Sequence, residues 1–141
     1  MDLTETGILN RDIAAHLSKM GHGDIMLITD AGLAVPNTMD VIDLSISQNN
    51  PTTLVVLDEL LKHFSVEKIF LSQSLVEVNP SRKSEICSRF GDDVEVEIVP
   101  HQVLREELTK KAKFVIRSGD FTAFSNIVLV SAGGDRWYCE K

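Results

Sequence analysis

The run Ile25-Met26-Leu27-Ile28 most constrains the fold, because four apolar residues follow one another without a polar residue between them. A strand with one face in water alternates apolar and polar side chains, whereas a strand covered on both faces is apolar throughout. The run therefore predicts a central strand that is buried on both faces. Such a strand needs helices packed against each side of its sheet, which is the arrangement found in α/β proteins.

Strand and helix signals alternate along the rest of the chain. Apolar runs predict further strands at 41–44, 67–71, 94–99, 114–116 and 127–130, and the alternation within 94–99 predicts one exposed face. Apolar spacing and cap residues predict helices over 11–20, 51–64, 79–90 and 100–111. We expect Asn10 to cap the first helix and Gly21 to end it in a left-handed conformation. The pattern predicts an α/β fold, a single three-layer α/β/α domain over residues 1–141 with a largely parallel, mixed sheet.

Composition and charge disfavour some classes of binding partner. The chain has 141 residues, 43% of them hydrophobic, which is enough for the core of one domain. Its net charge of −7 disfavours a nucleic acid or an anionic membrane as partner, although solubility alone also explains the charge. No apolar run approaches the ~20 residues of a membrane span, and the first five residues do not resemble a signal peptide. We therefore expect a cytoplasmic protein in which Cys87 and Cys139 are reduced thiols.

Several motifs that bind cofactors or carry nucleophiles are missing from the sequence. The chain has no Walker A loop and no GxGxxG pattern, which disfavours a flavodoxin-like nucleotide binder. It also has no GxSxG, HExxH or CxxC motif. The four histidines, at positions 16, 22, 63 and 101, have no cysteine or carboxylate at the spacing of metal ligands. We expect neither a metal nor a cofactor.

His22 and Asp30 are the first candidates for a functional site. His22 lies between Gly21 and Gly23, which leave space beside its ring, and Asp30 directly follows the predicted buried strand. An imidazole that titrates near neutral pH, together with a carboxylate, suggests acid/base chemistry on a small polar molecule. The simpler interpretations are a surface turn residue for His22 and a residue that caps its own turn for Asp30.

Further candidates lie in the C-terminal half of the chain. His101 opens a predicted helix, and Arg105 shares one face of that helix because it lies four residues further on. The polar connection 117–126 contains Phe124, Ser125 and Asn126. By local sequence alone, His101 would only start a helix and Arg105 would be a solvated basic residue. Phe124 would be a core aromatic, and Ser125 and Asn126 would be turn residues.

A series of short motifs covers nearly the whole chain. The motifs are Gly7-Ile8-Leu9-Asn10, Met20-Gly21-His22, 30–36, 42–45, 66–69, Pro100-His101, 115–122 and Ser125-Asn126. Each motif is weak alone, but their order and spacing together resemble the D-ribose pyranase and L-fucose mutarotase family (RbsD/FucU). The chain resembles the ribose branch of that family more closely than the fucose branch.

The resemblance implies an RbsD-like fold, an isomerase activity without a cofactor, and roles for individual residues. The family histidine that matches His22 is the catalytic residue, proposed as a proton donor. The family residues that match Asp30, His101 and Asn126 contact the sugar, and a basic residue in the family is placed similarly to Arg105. The resemblance further implies a ring-shaped homodecamer with its pocket between neighbouring subunits.

Two stretches depart from the ribose enzymes. Phe124-Ser125-Asn126 stands where they usually have Tyr-Ala-Asn, so an aromatic ring is kept but the phenolic hydroxyl is lost. Phe124 and Ser125 are therefore expected to border the sugar beside Asn126. The chain also continues through 133–141, where the ribose enzymes tend to end sooner. Within this extension Trp137 and Tyr138 either cover a pocket or an interface, or belong to a loosely ordered tail.

The expected reaction is the interconversion of the pyranose and furanose, and the anomeric, forms of D-ribose. Opening the ring needs a proton on the ring oxygen and removal of one from the anomeric hydroxyl, and closure reverses both steps. A histidine can perform these transfers near neutral pH without a metal or a redox cofactor. The alternatives are a mutarotase for another sugar, such as L-fucose, and a sugar-binding module without catalytic activity.

Overall fold

Six strands form one sheet in the structure, a computed structural model that describes residues 7–132. The strands are β1 (Ile25–Thr29), β2 (Val41–Asp43), β3 (Val66–Ser72), β4 (Glu95–Val99), β5 (Val115–Arg117) and β6 (Ile127–Ser131). Their order is β2-β5-β1-β6-β3-β4. β6 runs antiparallel to its neighbours β1 and β3, whereas the other neighbouring strands pair in parallel. The largely parallel, mixed sheet predicted from the sequence is confirmed.

Helices connect most of the strands. They are α1 (Arg11–Leu17), α2 (Thr53–Leu60), α3 (Gln73–Val78), α4 (Pro80–Cys87), α5 (His101–Val103) and α6 (Thr109–Lys111). A π-helical segment, Leu104–Leu108, joins α5 to α6, so that residues 101–111 are helical throughout, as predicted. Asn10 caps α1 as predicted, since its side-chain oxygen accepts hydrogen bonds from two backbone N–H groups of the first turn at 3.0 Å.

Successive residues of β1 point into two separate cores. Met26 and Ile28 pack against α1 to α4 on one face of the sheet, whereas Leu27 packs against Leu104 and Leu108 on the other. Met26, Leu27 and Ile28 have no exposed surface. The two cores give the three α/β/α layers, and they confirm that the uniformly apolar run forms a central strand.

The first helix ends differently from the prediction. Its C-terminal cap is Ser18 rather than Gly21, and the Ser18 hydroxyl donates to the carbonyl of Ala15 at 2.6 Å. The N–H of Gly21 donates to the Asp24 carboxylate at 2.7 Å, which closes a separate turn. The left-handed glycine of this turn is Gly23, with φ 88°. The predicted left-handed conformation at Gly21 is therefore wrong, because a side chain closes the turn there.

Two further elements differ from the sequence-based expectation. The segment α3 was not predicted, because six residues are too few to show a helical period. β4 exposes Val96 and Ile98 on one face and Glu95 and Glu97 on the other, so the prediction of one exposed face is wrong. The cause is its position at the edge of the sheet, where β3 is its one partner strand in the part of the chain that the structure describes.

Several predictions concern residues outside the described range 7–132. They include the absence of a signal peptide in the first residues, the state of Cys139 and the role of Trp137 and Tyr138. Within the described range, Cys87 is a free thiol. No helix between residues 7 and 132 has the length and apolar character needed to cross a membrane.

Candidate active site

A cavity of about 540 Å³ opens at the end of the sheet where the parallel strands finish. β1 leads into this cavity at Asp30, β5 ends there at Arg117, and β4 is followed there by His101. The antiparallel β6 starts at the same end, directly after Asn126. Crevices at the carboxyl ends of strands are the usual ligand sites of open α/β sheets. The lining residues are Asp30, Ala31, Gly32, Leu33, Ala34, His101, Arg105, Arg117, Asp120, Phe121, Thr122, Ala123, Phe124 and Asn126.

Five of the residues selected from the sequence line this cavity together. They are Asp30, His101, Arg105, Phe124 and Asn126. They come from four separate parts of the chain: the end of β1, the start of α5, the π-helical segment and the loop before β6. The fold therefore brings together candidates that the sequence separates by up to 96 residues.

Asp30 is a buried carboxylate in the wall of the cavity, with 8% of its surface exposed. Its backbone N–H donates to the side-chain oxygen of Asn126 at 2.9 Å, and its Oδ1 accepts from Gly32 N–H at 3.0 Å. Burial raises the pKa of Asp30, backbone N–H groups including that of Gly32 offset part of this rise, and the charge of Asp120 adds to it. The site thus holds a carboxylate that gives up its proton less readily than an exposed one.

His101 lines the same cavity, and its ring packs edge-to-face with that of Phe124. The two ring centroids are 4.9 Å apart at an interplanar angle of 78°. Burial lowers the pKa of His101, the charge of Arg105 lowers it further, and Asp30 acts in the opposite direction. Its Nδ1 is buried and has no hydrogen-bond partner among residues 7–132. At neutral pH the ring is therefore neutral, and a neutral imidazole can both accept and donate a hydrogen bond.

Phe124 itself adopts an unusual backbone conformation. Its φ of 64° lies in the left-handed region that residues with a Cβ rarely occupy. Strained residues of this kind persist where the surrounding structure holds them, and they often occur at functional sites. The conformation places the aromatic ring on the cavity wall between His101 and the neighbouring loop residues.

Arg117 is a cavity residue that the sequence analysis did not select as a candidate. Its guanidinium donates twice to the carbonyl of Ala31, at 3.1 and 2.9 Å, and also to Asp43 and Ser45 at 2.9 and 2.7 Å. These bonds tie the loop after β1 to the segment after β2. Arg117 lies within the 115–122 motif noted in the sequence. The local sequence around an arginine at a strand end does not indicate which loop the arginine will contact.

Ser125 does not line the cavity, although the sequence analysis selected it. Its side chain is fully buried, with the hydroxyl 2.7 Å from Thr53 Oγ1 and 2.9 Å from Arg82 Nη1. Neighbouring residues of an extended chain point in opposite directions, so that Asn126 faces Asp30 while Ser125 faces Thr53.

His22 lies at the opposite end of the sheet from the cavity. Its side chain is 62% exposed, and its Nε2 lies 3.1 Å from Glu67 Oε1. β1 lies between His22 and Asp30, and five residues of strand at ~3.3 Å each separate the two by roughly 16 Å. The imidazole therefore cannot reach the cavity of its own chain.

The cavity offers acceptors and donors rather than metal ligands. Among the side chains of residues 7–132, no group of three or more His, Cys, Asp or Glu could hold a metal ion. Asp30 supplies a carboxylate, Asn126 an amide and His101 a neutral imidazole, beside the apolar ring of Phe124. Fold and site together define an α/β protein with a cavity that holds polar groups and has the size of a small-molecule site, at the carboxyl end of its sheet.

Comparison with known proteins identifies the family. The chain belongs to the RbsD / FucU transport protein family, whose model matches residues 3–133. It is 41% identical over 129 residues to the D-ribose pyranase of Lactobacillus acidophilus, which covers 92% of this chain and 97% of the relative. A D-ribose pyranase from Streptococcus uberis is 42% identical over 125 residues, covering 89% of this chain and 94% of the relative.

Solved structures show the same fold. The structure of Bacillus subtilis RbsD complexed with D-ribose matches with a TM-score of 0.86 and 33% identity, covering 92% of this chain and 98% of that one. The fucose mutarotase of Streptococcus pneumoniae, in complex with L-fucose, matches with a TM-score of 0.70 and 18% identity, covering 88% and 93%. The predicted RbsD-like fold is confirmed, and the more distant fucose mutarotase supports the fold alone.

Proposed function

We propose that this chain is an isomerase that interconverts the pyranose and furanose forms, and the anomers, of D-ribose. The observation that carries the proposal is the 41% identity to a D-ribose pyranase over nearly the whole length of both proteins. The cavity is consistent with the reaction, because it combines hydroxyl-binding groups with an aromatic wall. Such a reaction belongs to ribose catabolism and needs only proton transfers, which side chains supply without a cofactor.

Within the cavity, three residues hold the hydroxyl groups of the sugar. The Asp30 carboxylate accepts hydrogen bonds from hydroxyls, the Asn126 amide donates to them, and the neutral His101 ring does either. Phe124 packs against the apolar face of the sugar ring, and Arg105 closes the outer side of the site. Ser125 acts on the sugar only through its neighbours, because its hydroxyl is bonded to Thr53 and Arg82.

His22 is the proton donor for ring opening, and it serves the cavity of a neighbouring subunit. This arrangement is supported by the roughly 16 Å that separate His22 from Asp30 within one chain. It is also supported by the exposure of His22, whose imidazole lies on the surface, where another copy can reach it. The proposal includes a homodecameric ring in the cytoplasm, in which each site combines the cavity of one subunit with His22 of the next.

Magnetisation-transfer NMR on D-ribose tests the activity. The wild-type protein should accelerate exchange between ring forms, and His22→Ala should lose most of that acceleration, on the order of 10²-fold or more. His63→Ala is the control, because His63 also pairs with a glutamate, with its Nε2 3.0 Å from a Glu59 oxygen, and does not line the cavity. Wild-type exchange at the rate of buffer alone would overturn the proposed function, and L-fucose measured in parallel checks the sugar.

A mixing experiment tests whether the site is shared between subunits. His22→Ala and Asn126→Ala are each expected to be inactive, and co-expressed subunits should regain part of the activity. Mixed rings contain some interfaces where an intact His22 meets an intact cavity. No recovery in verified mixed oligomers would contradict a shared site, and so would full activity in a monomer detected by sedimentation.

A further inference from the structure

The loop 120–125 forms one of the two long continuous parts of the cavity wall, the other being residues 30–34. Five consecutive residues, 120–124, line the cavity, and Asn126 lines it immediately afterwards. The loop has no helix or strand of its own, since β5 ends at Arg117 and β6 begins at Ile127. Its position must therefore be set by contacts with other parts of the chain.

One guanidinium nitrogen joins both ends of this loop. Arg82 Nη1 lies 2.7 Å from Asp120 Oδ2 at the start of the loop and 2.9 Å from Ser125 Oγ at its end. The same nitrogen lies 3.2 Å from Thr53 Oγ1, which also contacts Asp120 and Ser125, at 3.1 and 2.7 Å. Arg82 belongs to α4 and does not line the cavity, so it can influence a ligand only through the loop.

The contact between Arg82 and Asp120 is buried, so that the loss of either partner is costly. The side chains of Asp120, Ser125 and Thr53 have no exposed surface, and that of Arg82 is 14% exposed. A buried carboxylate left without its cation is strongly unfavourable, because nothing replaces the lost hydration. Burial raises the pKa of Asp120, but bonds from the backbone of Thr53 and Thr122 and from Arg82 outweigh burial and keep that pKa low. Asp120 is thus ionised and needs Arg82 beside it.

We propose that Arg82 is a positioning residue, which joins the two ends of the loop 120–125 and so sets where Phe124 and Asn126 meet the sugar. This inference rests on the proposed ribose isomerase function. The positive φ of Phe124 adds to the need for such an anchor, because a strained residue keeps its conformation only when its neighbours hold it. Loss of the anchor lets the loop relax and misplaces both cavity residues.

The test measures the rate of ring exchange by NMR at a series of D-ribose concentrations, which gives KM and kcat. The proteins compared are the wild type, R82M, R82K and the control R89M. We expect R82M to raise KM about tenfold or more, with kcat changed less than about threefold, since the misplaced groups bind the sugar and His22 is untouched. R82K keeps a cation beside Asp120, but the lysine side chain is one bond shorter than the path to Arg82 Nη1, so its nitrogen cannot contact both Asp120 and Ser125 and KM should rise about threefold. Arg89 pairs with Asp58 on the surface at 2.9 Å, and R89M should keep the wild-type KM.

The outcomes separate this inference from the function on which it rests. Wild-type protein that does not accelerate ribose exchange overturns the proposed function. An active wild type with an unchanged KM in folded R82M overturns the positioning role alone. If R82M does not fold, R82K decides, and a wild-type KM in R82K overturns the role. Hydrogen exchange over residues 118–126 should rise in R82M but not in R89M, whereas a purely structural effect would lower Tm and leave KM unchanged.

Discussion

The side chain of Asn126 contacts Asp30 twice across 96 residues of sequence, once at the backbone of Asp30 and once at its carboxylate. Asn126 Oδ1 accepts the backbone N–H of Asp30 at 2.9 Å, and Asn126 Nδ2 lies 3.5 Å from Asp30 Oδ2. The first contact fixes the orientation of the amide, with its oxygen toward the backbone of Asp30 and its nitrogen toward the Asp30 carboxylate. The pair therefore presents amide hydrogens and carboxylate oxygens in one fixed orientation, which is what recognition of neighbouring hydroxyls requires.

Replacing Asn126 by Ala should weaken both the fold and sugar binding. The variant leaves the buried N–H of Asp30 without an acceptor, which costs about 1–3 kcal/mol of unfolding free energy. It also removes the amide donor beside the carboxylate, so ribose binding measured by calorimetry should be lost or much weaker. Urea unfolding gives the stability, with exposed Asn37→Ala as the control that should change neither quantity. Wild-type affinity in a stable Asn126→Ala protein would contradict a role in binding.

Replacing Gly119 by Ala should destabilise the protein because no space exists for a Cβ. A Cβ at this position would lie 2.6 Å from the carbonyl oxygen of Ser47 and 2.7 Å from that of Asn50. The backbone cannot easily retreat, since Gly119 N–H donates to Pro51 O at 2.8 Å and its carbonyl accepts from Asn49 at 2.7 Å. We expect a loss of about 1–3 kcal/mol in the unfolding free energy.

Gly32→Ala provides the matched control for that substitution. A Cβ at Gly32 would meet no atom of the described residues within 4 Å, so the unfolding free energy should change little. Equal losses in the two variants would contradict the close approach at Gly119 as the cause, because Ala lowers the entropy of the unfolded chain, which by itself stabilises the folded protein.

The sequence predicted the parts of the fold that depend on local pattern. The uniform apolar run of β1 required helices on both faces, and the alternation of strand and helix signals required a largely parallel sheet. The strand ends also placed Asp30 and Asn126 near loops. β4 was predicted less well, because an edge position follows from the strand order, which no local pattern contains.

The contacts behind the cavity could not be predicted from local sequence. Arg82 lies in a helix rich in serine and charged residues, where the sequence does not distinguish an arginine that is mostly covered from one that is exposed. Its partner Asp120 is 38 residues away, and their contact exists only after α4 packs beside the loop. The positive φ of Phe124 is equally invisible, because no residue preference indicates it. Long-range packing decides these features.

The imidazole of His101 should make the stability of the protein depend on pH. Burial lowers the pKa of His101 in the folded protein, and the charge of Arg105 lowers it further, only partly opposed by Asp30. The unfolded chain, with an ordinary histidine pKa of about 6.5, therefore takes up this proton before the folded protein does. The contribution to stability is complete above the unfolded pKa and is lost as the pH falls through the folded pKa. Stability should consequently decrease below about pH 6.5.

His101→Gln should remove this part of the pH dependence, because glutamine does not titrate. We expect the difference in Tm between wild type and His101→Gln to move in favour of the variant as the pH falls from 7 to 5. Asp30 works in the opposite direction, since its pKa is raised by burial, but it is present in both proteins and cancels in the comparison. His63→Gln, at a histidine outside the cavity, controls for the loss of an imidazole elsewhere. Parallel Tm profiles for wild type and His101→Gln would show that His101 binds its proton equally well in the folded and unfolded chains.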